Sequence, residues 1–76
     1  STTTRPDRYN LLYSRMTDDI RSYIGLKGYF LQLKVERCAD ADELVALLPD
    51  VATALTKARD HTFATRWLEE VRASVA

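Results

Sequence analysis

Few residues in this 76-residue chain have types and spacings that could do chemistry. It has one histidine, His61, and one cysteine, Cys38. Acid–base or nucleophilic chemistry at His61 needs a nucleophile or an orienting carboxylate within hydrogen-bond reach. Asp60 and Thr62 are neighbours only along the chain, so His61 reads as a loop residue. Cys38 follows Arg37, but it sits on an apolar helical stripe near a helix C-terminus, where a thiolate is disfavoured. It reads as a buried, inert thiol. The carboxylate pairs Asp18–Asp19 and Glu69–Glu70 splay about 100° apart on a helix and make poor catalytic dyads. Phe63 and Trp67 have the spacing of core aromatics rather than of a stacking site. "GLKG" (Gly25–Gly28) does not follow a strand and so is not a phosphate loop. One histidine and one cysteine supply no zinc cluster. The expectation is a chain with no catalytic, cofactor-binding or metal site.

Composition narrows the partners. Eleven basic and eleven acidic residues cancel, so there is no general pull toward nucleic acid or an anionic membrane. No apolar run approaches the roughly 20 residues that span a bilayer. No signal-peptide pattern is present, and the expected compartment is the cytoplasm. A chain of this length buries only about 60% of its unfolded surface. Without disulfides or a metal, self-association is the remaining way to add stability. The charges are unevenly placed. Residues 1–38 carry seven basic and four acidic side chains, and residues 39–76 carry four and seven. Packing the first half against the second would pair these fields, at about 0–1 kcal/mol for each exposed pair.

The positioning elements read as helices. Ser1–Pro6 is polar and β-branched and reads as a disordered lead-in or linker from a larger protein; 7–76 reads as a single helical domain. Asp7 is a candidate cap for a long first helix over Tyr9–Cys38. On that helix Leu12, Met16, Tyr23, Leu26, Phe30 and Leu33 form one stripe, and Ile20, Ile24, Leu31, Val35 and Cys38 form another. Together they cover about twice the apolar arc that one packing partner needs. Asp19 falls on the first stripe and Lys27 between the two. The segment Tyr29–Val35 also alternates like a strand, but no second strand is available to pair with it. A helix bent near Gly25–Gly28 satisfies both signals, with Gly25 permitting a close helix approach. Asp40 and Glu43 form a variant capping box for a second helix carrying Leu44, Leu47, Leu48, Val51 and Leu55. Pro49 either bends that helix or divides it. Asp60 or Thr62 caps a last helix carrying Phe63, Trp67, Leu68, Val71 and Val75. The expected fold is all-α: a small bundle of three helices, or four if Pro49 breaks one, and dimeric.

The stripes lead to an expected role. Leu12, Met16, Tyr23, Phe30 and Leu33 are expected to pack inside the chain. Ile20, Ile24, Lys27, Leu31 and Val35 are expected to form the interface with a second copy or with a partner protein's helix. "DDIRSYIGLKGYFLQL" (Asp18–Leu33), about a fifth of the chain, resembles the first helix of the dimerisation and histidine-phosphotransfer region of sensor kinases. Asp19, Ile20, Arg21, Gly28, Tyr29 and Leu33 carry the resemblance. Asp18 stands where that family has its phosphorylated histidine. The resemblance implies a long helix in a dimeric four-helix bundle that has lost its phosphoacceptor and docks a signalling partner. Both readings converge on a non-catalytic interaction or dimerisation module, one of them from a regulatory or signalling protein.

Overall fold

The computed structural model describes the backbone of residues 4–76 and the side chains of residues 8–76. Its elements are α1 (Thr4–Asp19), a π turn (Ile20–Ile24), a 3₁₀ turn (Gly25–Gly28), α2 (Tyr29–Arg37), α3 (Ala41–Ala58) and α4 (His61–Val75). The described residues contain no strand, and Tyr29–Val35 is helical. α1, the two turns and α2 form one interrupted arm; α3 and α4 are the other two. The first helix thus divides at the glycines, and Pro49 divides nothing.

Each helix start has a local cause. α1 begins at Thr4, inside the segment read as a lead-in, so Asp7 lies within the helix rather than at its cap. Pro6 is the third helical residue, where a missing amide hydrogen leaves no intrahelical bond unmade. The expectation for residues 1–3 lies outside the described residues. At α3, Asp40 Oδ1 accepts from the Glu43 amide at 2.9 Å, and Glu43 Oε1 accepts from the Ala39 amide at 2.7 Å. This is the expected reciprocal cap, with its return bond moved one residue back. At α4, Asp60 Oδ1 accepts from the Phe63 amide at 2.7 Å. α3 runs unbroken through Pro49, which sits on an exposed position of an otherwise strongly amphipathic helix. Burial of the opposite face outweighs the one hydrogen bond lost there.

The core is a single cluster. α1 contributes Leu12 and Met16, and the π turn contributes Ile20. α3 contributes Ala41, Leu44, Leu48, Val51 and Leu55 at alternating spacings of three and four. Ala64, Trp67 and Val71 of α4 and Val35 of α2 complete it. The radius of gyration, 12.0 Å, is near the roughly 11 Å of a compact chain of this length. Among the described residues three ion pairs cross between the basic and acidic halves: Arg8–Asp42 at 3.8 Å, Arg15–Glu70 at 3.4 Å and Lys34–Asp50 at 3.5 Å.

The division into an inner and an outer stripe requires correction. Ile20 and Val35, expected at an interface, are fully buried in the chain's own core. Phe30, expected inside, is 74% exposed, and Leu26 on the same stripe is 96% exposed. The break explains the exchange. The inward positions run Leu12, Met16, Ile20, Ile24, Gly28, Leu31, Val35. In an unbroken α-helix each step of four advances about 40° beyond a full turn, so four such steps would drift about 160° off the core. The wider π turn and the non-helical backbone of Gly25 interrupt that progression, and Gly28, Leu31 and Val35 return to the core side. Leu26 and Phe30, which continue the first stripe into and beyond the break, are carried outward, while Leu33 is half-buried.

Two glycines and a glutamine hold the break. Gly25 adopts φ +73°, a conformation that side-chain-bearing residues rarely adopt, and no atom lies near the place of a Cβ. Close approach occurs instead at buried Gly28, where a Cβ would collide with Ile20 Cγ2 and sit 3.2 Å from Ile24 Cγ2. Gln32 Nε2 donates to the Thr17 carbonyl across the break at 2.9 Å. The long continuous helix implied by the sensor-kinase resemblance is therefore interrupted within the resembling segment itself.

Candidate functional site

The residues singled out for chemistry take structural positions. His61 is the exposed first residue of α4, and its Nε2 lies 3.4 Å from Thr65 Oγ1. Its neighbour Asp60 is occupied as the helix cap. Cys38 is half-buried, and its Sγ donates to the Lys34 carbonyl at 3.3 Å. Burial, reinforced by the Glu43 and Asp40 charges, pushes the Cys38 thiol above its ordinary pKa. That is the opposite of an activated nucleophile.

The paired aspartates diverge as helix geometry requires. Asp18 accepts from Arg21 at 3.2 Å on the surface. Asp19 turns inward, where its Oδ2 accepts from Arg15 Nε at 2.5 Å and from Trp67 Nε1 at 2.7 Å. Burial works against the Arg15 charge, but Asp19 and Glu70 outweigh it and raise the guanidinium pKa. Asp19 thus interrupts the apolar stripe to satisfy the indole of a core tryptophan within its own chain. Phe63 packs edge-on against Tyr23, with ring centroids 4.9 Å apart, and Arg59 lies over both rings. Tyr13 donates to Glu36, joining α1 to α2; that bond, with partial burial and the Glu36 charge, raises the Tyr13 pKa. Among the described residues no group of three or more His, Cys, Asp or Glu side chains could hold a metal ion, and no helix is long and apolar enough to cross a membrane.

What remains for recognition is the outer side of the break. Leu26, Tyr29 and Phe30 stand exposed beside one another, and the Tyr29 and Phe30 rings meet edge-on at 5.5 Å. On one flank of this knuckle a groove of about 580 Å³ lies between α2 and α3. Half-buried Ile24, Leu31 and Ala54 form its deeper part, and exposed Phe30 and Ala58 its edges. Ala54 and Ala58, one helical turn apart on α3, leave the space that larger side chains would fill. Lys27, Lys34 and Lys57 stand at the rim with Asp50, which pairs with Lys34. Lys27 and Lys57 make no ion pair among the described residues.

Of the five expected interface residues, the structure brings Ile24, Lys27 and Leu31 to this groove, and buries Ile20 and Val35 in the core. Sequence reasoning missed the α3 side and Tyr29. The pair Ala54 and Ala58 was a usable signal, since two small residues four apart on an amphipathic helix mark a furrow. No family model, curated protein or solved structure compared with this chain matches it.

Proposed function

We propose that this domain is a non-catalytic protein–protein interaction module, and that its contact surface is the knuckle Leu26–Phe30 with the adjoining α2–α3 groove. One observation carries the reading. Three large apolar side chains, 96%, 61% and 74% exposed, lie next to one another at a glycine-defined break. Scattered exposed apolar residues are ordinary, but a contiguous patch bordering a groove is characteristic of a binding surface. Covering each such side chain is worth about 1.5–3 kcal/mol. None of the three is needed by the core, so the patch is free to serve a partner.

Site-specific photo-cross-linking in the cells that express the protein tests this. A photoreactive phenylalanine analogue at position 30 should give a discrete adduct that Leu26→Asp removes. The same analogue at exposed Arg72 of α4 is the control. No adduct from position 30, or the same adducts from both positions, would contradict the proposal.

A further inference from the structure

Resting on that reading, we infer that the groove's occupant is an amphipathic helix of a partner protein, with acidic residues beside its apolar stripe. The walls are two helices joined by the short turn 38–40, so the space between them is a furrow. From Lys27 to Lys34, and from Asp50 to Ala58, the walls are each about 10–12 Å long. That length matches about two helical turns, the span of apolar anchors at i, i+3 or i+4, and i+7. Ile24, Leu31 and Ala54 offer the apolar floor for those anchors.

Charge selects among occupants. Lys34 is already compensated by Asp50 at 3.5 Å. Lys27 and Lys57 have no such partner among the described residues, and both lie toward the end of the furrow nearest the break, since α2 and α3 are adjacent, oppositely running walls. A second copy pairing furrow to furrow in parallel would set these lysines against their own images, and in antiparallel against the Lys34–Asp50 pair, which is already compensated, so neither pairing supplies free negative charge. An anionic bilayer would satisfy the lysines but not a concave furrow whose apolar floor lies below its rim. A helix bearing Asp or Glu over the Lys27–Lys57 end satisfies charge and shape together.

The test is selection from a displayed library of helical peptides about four turns long. Leucines are fixed at i, i+3, i+4 and i+7, and the flanking positions are drawn from glutamate, lysine and serine. Selection on the wild-type domain should enrich glutamate at flanking positions toward one end. A selected peptide should bind about tenfold more weakly to the double variant Lys27→Glu, Lys57→Glu, and its binding should fall with added salt. Both lysines are exposed, so an unchanged helical spectrum and melting temperature show that the variant is folded. Enrichment of lysine or serine flanks overturns the acidic occupant while leaving the interaction-module reading standing. So does a concentration-dependent dimer that Phe30→Asp dissociates, which would make a second copy the occupant. Failure to enrich any peptide overturns the helix-in-groove assignment, as does binding only to vesicles rich in phosphatidylglycerol. The cross-linking from position 30 is decided separately from all of these.

Discussion

Asp19 joins two of the long-range interactions that hold the first arm on the last helix. Its carboxylate accepts from Trp67 Nε1 at 2.7 Å and from Arg15 at 2.5 Å, and Arg15 reaches on to Glu70. Asp19→Ala leaves the buried indole N–H without a partner, a loss of about 1–3 kcal/mol. In a domain of this size that lowers the melting temperature by about 4–8 °C per kcal/mol. Asp19→Asn keeps an acceptor oxygen and should melt between the two; thermal denaturation of all three proteins checks the order. At Cys38, burial and the nearby Asp40 and Glu43 hold the proton on the thiol. Alkylation by iodoacetamide near pH 8 should therefore be slower in the folded chain than in the urea-unfolded chain. Because the folded pKa is the higher one, any stability from this proton is complete below the unfolded pKa. It is lost as pH rises through the folded value. Equal alkylation rates would show that the thiol is not shielded. The sequence placed Cys38 as a buried thiol on an apolar stripe near a helix end, but the structure leaves it half-buried, with its pKa raised. The role of Asp19 was not legible, because its partner Trp67 is 48 residues away and only the folded chain brings them together.

At the scale of elements, the break between α1 and α2 decides what the domain shows to solvent. Gly28→Ala would force a methyl against the buried Ile20 side chain, and overpacking of this kind costs about 1–3 kcal/mol. Gly25→Ala has open space but a backbone conformation that only glycine adopts readily, so its penalty of about 1–3 kcal/mol is purely conformational. Urea titration should show both variants destabilised. Because Gly25 combines φ +73° with ψ −141°, outside the left-handed helical region that Asn tolerates, Asn should not recover the loss at either position. The caps were legible because they are local: Asp40 with Glu43, and Asp60, each act within four residues. The place of the break was legible from the two glycines. The phase of the helix beyond it was not. A π turn changes which residues face inward without changing their spacing in the sequence, so the angular count continued smoothly while the real face exchanged Phe30 for Val35.

Across the whole molecule, one small core is shared by three arms, and Leu26, Tyr29 and Phe30, which it does not use, stand together at the break, while Leu11 is exposed on α1. The sequence showed a surplus of apolar surface on the first arm, more than one packing partner could cover. That surplus is present, but its address follows from the tertiary path. Leu12, Met16, Ile20 and Val35 are spent inside, while Leu26, Tyr29 and Phe30 remain outside. The uneven charge of the two halves was also legible, and it appears as the three ion pairs between them. The central claim is that core and contact surface separate across the break. Its most direct measurement is the thermal melting of Phe30→Asp against Val35→Asp, followed by circular dichroism. Phe30→Asp should melt within a few degrees of wild type, because an exposed side chain is replaced by one that water solvates. Val35→Asp should be largely unfolded at 25 °C, because a buried charge without a partner costs several kcal/mol in a domain whose core supplies only about 3–5. If Phe30→Asp unfolds the chain and Val35→Asp leaves it folded, the assignment of faces is reversed and the proposed contact surface belongs to the core.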